Sequence, residues 1–123
     1  MNPSYRRMPM RRTGWLLLAA VAVAALPRPR ACAEEDAAAA RARGEALLAK
    51  NCSRCHAIGR TGVSPHPDAP LFRALSRRYP IEGLAEALAE GLSVGHPDMP
   101  EFVFDPDEIG AILAYLASIQ EPR

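Results

Sequence analysis

Residues 52–56 read Cys-Ser-Arg-Cys-His, and this C-x-x-C-H run decides how the rest of the chain is interpreted. At this spacing two cysteine thiols can bond to the two vinyl groups of a haem while the next residue turns its imidazole onto the iron. We therefore interpret Cys52 and Cys55 as the thioether anchors of a covalent haem c, and His56 as the proximal ligand of its iron.

Three other interpretations of the run were weighed against haem attachment. A disulfide between Cys52 and Cys55 suits an oxidising compartment. A zinc site needs four ligands, and it would have to recruit His66 or His96 because no further cysteine follows. A thioredoxin-like pair needs a strand-to-helix βαβ element, and the sequence has no alternating strand pattern. Haem attachment is favoured over all three.

The sixth iron ligand is predicted to be Met99. The other methionines, Met1, Met8 and Met10, lie in the first ten residues. Met99 stands in a polar, proline-rich stretch, Gly-His-Pro-Asp-Met-Pro, where a core methionine is not expected. Histidine–methionine ligation fills both axial positions and raises the reduction potential. His96 is the reserve ligand, and a bis-histidine iron is the second choice.

The first 33 residues have the pattern of a signal peptide. A basic segment is followed by 12 unbroken apolar residues, Trp15 to Leu26, and this run is shorter than the roughly 20 that span a membrane. The sequence Ala31-Cys32-Ala33 supplies a small-x-small cleavage signal. We predict cleavage after Ala33, with export by the general secretion route. Lipidation of Cys32, an uncleaved anchor and the twin-arginine route are the alternatives.

The remaining residues, 34–123, form one small acidic domain. They carry nine basic and 14 acidic side chains, a net charge of −5, which excludes a basic nucleic-acid-binding protein. Charge is unevenly distributed, because residues 50–80 sum to +5 and residues 81–108 to −8. A domain of this size buries little surface, so we expect a bound group to complete its core.

The predicted secondary structure is helical throughout. Helices are expected over residues 35–50, over 71–78, after Pro80 and from Asp105 to the C-terminal region. The last helix begins with Asp105 as its N-cap, Pro106 in its first turn and Glu108 closing a capping box. Two long loops, 51–70 and 93–104, separate these helices, and loops of that length usually bind something.

Five features together resemble the class I c-type cytochromes, the small single-haem proteins of bacterial periplasms. They are Gly44-x-x-x-Leu48-x-x-x-Cys52, the C-x-x-C-H run, Pro70-Leu71, Met99-Pro100 and the closing segment DPDEIGAILAYL at 105–116. The resemblance implies an all-α small cytochrome c fold over 34–123, with three to five helices around one haem c. It also implies that Gly44 and Leu48 meet Ile112 and Tyr115, and that the Pro70 carbonyl accepts a hydrogen bond from the proximal imidazole.

The function implied by this resemblance is electron transfer in the periplasm, without catalysis. The expected partners are periplasmic redox proteins and the cytochrome c maturation machinery, with no membrane contact after signal cleavage. The sequence departs from the family at Leu48, where an aromatic residue is common, and in having Lys50 as its only lysine. The alternatives are a haem subunit of a dehydrogenase or reductase, and a haem enzyme or gas sensor with a displaceable Met99.

Overall fold

The structure, a computed structural model, describes residues 30–91 and 98–122. The predicted signal peptide lies outside these ranges except for its last four residues, and so does His96.

Three α-helices and two short 3₁₀ helices make up the described chain. Their bounds are α1 Arg30–Asn51, the 3₁₀ helices Phe72–Arg77 and Ile81–Gly83, α2 Leu84–Glu90 and α3 Pro106–Ile119. Within residues 30–91 and 98–122 there is no β-strand, so the all-α prediction is confirmed. None of the described helices is long and apolar enough to cross a membrane.

Helix α1 begins earlier than the sequence pattern predicted. It starts at Arg30 and contains the predicted cleavage point after Ala33. Residues 30–39 are exposed throughout, and only Gly44 and Leu48 of this helix are buried. The N-terminal half of α1 therefore adds nothing to the core, and the packing of the domain depends on its second half.

The crossing of α1 and α3 organises the domain. A Cβ atom on Gly44 would overlap the carbonyl oxygen of Ala111 and lie 2.9 Å from the Cβ of Tyr115. The predicted contact of Gly44 with Tyr115 is confirmed, but its nearest backbone neighbour is Ala111 and not Ile112. Leu48, one turn further along α1, is buried in the same apolar cluster as Ile112.

Helix α3 begins at the predicted cap. The Asp105 carboxylate accepts a hydrogen bond of 2.9 Å from the Glu108 amide, and the Glu108 carboxylate accepts one of 3.3 Å from the Asp105 amide. Pro106 occupies the first turn, where its missing N–H costs nothing. This capping box satisfies two amides that the helix leaves unpaired, and it confirms the sequence prediction.

The segment that carries Met99 is tied to α2. The Phe104 amide donates to the Leu88 carbonyl at 3.0 Å. Helix α2 ends at Gly91, whose φ of +96° lies in the left-handed region that favours glycine. A side chain there would also collide with Glu101. Together these contacts hold residues 98–104 against the end of α2.

Candidate haem site

An apolar cavity of about 380 Å³ lies where the three α-helices meet the two long loops. The five residues predicted from the sequence to bind the cofactor all line this cavity: Cys52, Cys55, His56, Pro70 and Met99. Aliphatic and aromatic side chains supply most of the remaining wall, among them Leu48, Phe72, Leu88, Phe104, Ile112 and Leu116. Residues 47 positions apart in the chain, Cys52 and Met99, thus face one enclosed space.

The backbone turns sharply at the end of α1, and this turn presents the cysteines and the histidine together. The Cys52 amide still donates to the Leu48 carbonyl at 2.8 Å, as in the helix. The amides of Cys55 and His56 then both donate to the Cys52 carbonyl, at 3.1 and 2.9 Å. This pair of bonds closes a tight loop that brings all three side chains to the cavity wall.

His56 is buried and its ring is held from two sides. Its Nδ1 lies 2.9 Å from the Pro70 carbonyl oxygen, so the predicted hydrogen bond is present. A carbonyl can only accept, so Nδ1 carries a proton, and in the neutral imidazole Nε2 then keeps its lone pair. The Phe72 ring packs against the imidazole, with 4.6 Å between centroids. The histidine is therefore buried as the tautomer that a metal-binding Nε2 requires.

The two cysteines of the site are free thiols, and no disulfide joins them. Burial, and then the neighbouring Cys55, raises the pKa of the Cys52 thiol to about 11. No group of three metal-binding side chains exists in the described part of the chain. The disulfide and zinc interpretations therefore gain no support.

Beside Met99, the loop that carries His66 meets the segment that carries Asp98. The Nε2 of His66 lies 3.6 Å from a carboxylate oxygen of Asp98, and the Asp68 amide donates to His66 Nδ1 at 3.2 Å. Met99 itself is half-buried. His66 is also half-buried and lies on the cavity wall.

Two contributions to the site were missed at the level of sequence. Phe72 packs on the proximal imidazole, and its position two residues after Pro70 was the available signal. The approach of His66 to Asp98 had no signal, because residues 32 positions apart in two irregular loops show no common pattern.

The donor set and the walls fit a haem c. Two thiols, an imidazole with an open Nε2 and a thioether sulfur line one apolar cavity, and these are the groups that anchor and ligate this cofactor. The apolar wall provides the low-polarity surroundings that a porphyrin ring needs, and the cavity lies beside the buried cluster of Leu48, Ile112 and Leu116.

Comparison with known proteins gives two matches. A family model described as "Cytochrome C oxidase, cbb3-type, subunit III" matches residues 39–116. Cytochrome c-552 of Bradyrhizobium diazoefficiens is 35% identical over 91 residues, which cover 73% of this chain and 86% of that protein. No solved structure matches the chain at comparable significance. The matched region of the family model contains every residue that the sequence assigned to the site.

Proposed function

The chain belongs to the class I c-type cytochromes, and we propose that it works in the periplasm as a one-electron carrier whose iron is held by His56 and Met99. Members of this family carry electrons and bind haem c covalently. The bound haem supplies an Fe(III)/Fe(II) couple. Cys52 and Cys55 provide the sulfur atoms for its two thioether bonds.

The observation that carries the proposal is the state of His56. Its Nδ1 lies 2.9 Å from the Pro70 carbonyl oxygen, and His56 lines the cavity, so the neutral ring has its proton on Nδ1 and its lone pair on Nε2. A histidine held in this way is an oriented ligand whose basicity is increased by the hydrogen bond behind it. Met99 on the same cavity supports the choice of a thioether as the other axial ligand.

The chain's own residues favour electron transfer over chemistry on a small molecule. With both axial positions filled, little rearrangement would accompany each change of oxidation state. The loop of Met99 is held by the Phe104–Leu88 bond and lies beside His66. These contacts suit a ligand that remains in place more than one that is displaced by a gas or a peroxide.

A second candidate function is that of a haem subunit in a larger oxidase or reductase. The specific observation in its favour is the family model, which is named for a subunit of a cbb3-type oxidase. A free carrier elutes at the mass of one chain from the native periplasm and reduces its partner in a second-order reaction. A subunit co-purifies with a larger complex at constant stoichiometry.

Export and cleavage after Ala33 are part of the proposal. Cleavage would remove the first four residues of α1, all exposed, and leave its buried face intact. The intact mass of protein taken from the periplasm tests this directly. Protein that starts at Glu34 supports it, and a retained leader means that the chain stays anchored.

The decisive experiment is a visible spectrum of the purified haem-loaded protein, oxidised and reduced, with and without carbon monoxide. A low-spin spectrum, a weak far-red sulfur-to-iron band in the oxidised state and no change with carbon monoxide are expected. A high-spin spectrum or ready binding of carbon monoxide would favour the enzyme or sensor instead. A low-spin spectrum without the far-red band would indicate that the sixth ligand is His96 and not Met99.

A further inference from the structure

We propose that Gln120, just beyond α3, is a positioning residue for His56. Its side chain holds the 3₁₀ helix Phe72–Arg77, and Pro70, two residues before that helix, orients the proximal imidazole. The proposal rests on His56 being the proximal ligand. Gln120 and His56 are 64 positions apart in the chain, and the resemblance on which the site was predicted says nothing of Gln120.

The Gln120 amide makes three hydrogen bonds to the backbone. Its Nε2 donates to the Phe72 carbonyl at 2.9 Å and to the Leu116 carbonyl at 2.7 Å, and its Oε1 accepts from the Ser76 amide at 2.9 Å. Both donors and one acceptor position are used, so the orientation of the amide is settled by its partners. Gln120 thereby joins α3 to both ends of the 3₁₀ helix.

Glu121 reinforces the same junction from outside. Its amide donates to the Arg73 carbonyl at 2.9 Å. Its carboxylate accepts from Arg73 Nε at 3.0 Å and from Arg77 at 2.7 Å. Because these ion pairs are partly exposed, each contributes little by itself. Gln120 adds to these contacts hydrogen bonds that carry no charge and reach both Phe72 and Ser76.

The 3₁₀ helix needs such a restraint. Helices of this type have poorer hydrogen-bond geometry than α-helices and are stable only in short pieces. This one is six residues long, and Leu71 at its start offers no side-chain cap. Its position against the core therefore depends on groups outside it, and Gln120 supplies two of those bonds, while its third bond ties the same side chain to Leu116 of α3.

The path from Gln120 to His56 passes through Phe72. The Phe72 carbonyl is held by Gln120, its amide donates to the Ala57 carbonyl at 3.1 Å, and its ring packs on His56. Pro70, two residues earlier, carries the carbonyl that His56 Nδ1 binds. If Gln120 releases Phe72, the Pro70 carbonyl loses its fixed distance from the imidazole. A weaker bond at Nδ1 makes the ligand less basic and Fe(III) less favoured.

The test compares Gln120→Leu with Ile109→Ala in haem-loaded protein. Gln120→Leu removes the three hydrogen bonds without changing charge. Ile109 is buried in the first turn of α3 and does not line the cavity, so Ile109→Ala lowers stability without removing any of the three Gln120 hydrogen bonds. The readouts are the exchange rate of the His56 Nδ1–H in the reduced protein by NMR, the midpoint reduction potential and the unfolding temperature.

Both variants should unfold at lower temperature. In Gln120→Leu alone, the ring proton should exchange about tenfold faster than in wild type, because local opening of its hydrogen bond becomes easier, and the midpoint potential should rise with the low-spin spectrum retained. Equal exchange rates in the two variants, or an unchanged or lowered potential in Gln120→Leu, would show that Gln120 is only structural. If the proposed ligation itself is wrong, the wild-type protein already lacks the haem-shifted His56 signals.

Discussion

Gly44 and Ala111 touch backbone to backbone where α1 crosses α3, with the Ala111 carbonyl in the space that a Cβ on Gly44 would need. This contact sets how closely the two helices approach each other. It also places the end of α1, and with it Cys52, beside the buried face of α3 that closes the cavity. The close approach of two helices and the position of the haem anchor are thus one feature of the fold.

Gly44→Ala should destabilise the protein strongly. The added methyl group meets a carbonyl and not a flexible side chain, so the helices must separate, and overpacking of this kind costs about 1–3 kcal/mol or more. The matched control is Gly110→Ala on α3, where an added Cβ meets nothing within 4 Å. The control should gain about 0.5–1 kcal/mol from better helix propensity. Denaturant unfolding of the haem-loaded variants measures both, and equal effects would contradict the close crossing.

Met99→Ala should open one axial position. The far-red band should disappear, carbon monoxide should bind to the reduced protein, and the potential should fall because a thioether ligand raises it. Val103→Ala, at an exposed side chain of the same segment, is the control and should keep the wild-type spectrum. A Met99→Ala protein with an unchanged spectrum would exclude Met99 as the ligand.

The haem should be part of the core. The cavity is bordered by Leu48, Ile112 and Leu116, so an empty cavity would leave the centre of a small domain unfilled. Cys52→Ser combined with Cys55→Ser, expressed with the maturation machinery, should yield unfolded or degraded protein. Arg54→Ala, at the exposed residue between the two cysteines, should leave folding and haem content unchanged. A helical, stable, haem-free double variant by circular dichroism would refute this role.

The electron-transfer partner should present an acidic surface. Arg54 is exposed and stands between the two anchoring cysteines, whereas Arg73 and Arg77 already pair with Glu121. Attraction between exposed charges is screened over roughly 8 Å at physiological salt, and redox contacts are small and brief. The transfer rate should fall as salt rises.

Arg54→Glu should slow this transfer more than Glu86→Arg, which changes an exposed residue of α2. Stopped-flow kinetics with the native partner, at several salt concentrations, gives both comparisons. A rate that rises with salt, or a larger loss with Glu86→Arg, would assign docking to the acidic face.

Tyr115 should make the protein sensitive to alkali. Burial, and then the Glu45 carboxylate beside it, raises the pKa of the Tyr115 hydroxyl. Its folded pKa therefore exceeds the unfolded value of about 10, so this contribution to stability is complete below pH 10 and is lost as the pH rises through the folded pKa. Tyr115→Phe should flatten the fall in unfolding free energy above pH 10. Tyr79→Phe, at an exposed tyrosine, should keep the wild-type slope.

Local sequence predicted the helices and the candidate haem anchors. The C-x-x-C-H run, the capping box at Asp105 and the isolated Met99 each lie within a few residues, and their meaning depends on short-range chemistry. The resemblance added two longer-range expectations, the Gly44 crossing and the Pro70 hydrogen bond, and the structure contains both. The structure added one neighbour that the resemblance did not name, the Ala111 carbonyl against Gly44.

Only the tertiary structure decided which residues of the irregular segments contact one another. The approach of His66 to Asp98, the ring of Phe72 on His56 and the bonds of Gln120 to the 3₁₀ helix join residues between 16 and 48 positions apart. Loop and helix-end side chains follow no period, so their partners cannot be deduced from spacing. These groups meet because the crossing of α1 and α3 brings the surrounding segments together around the cavity. The backbone N–H and C=O groups of those segments must then find hydrogen-bond partners among the groups that lie near them.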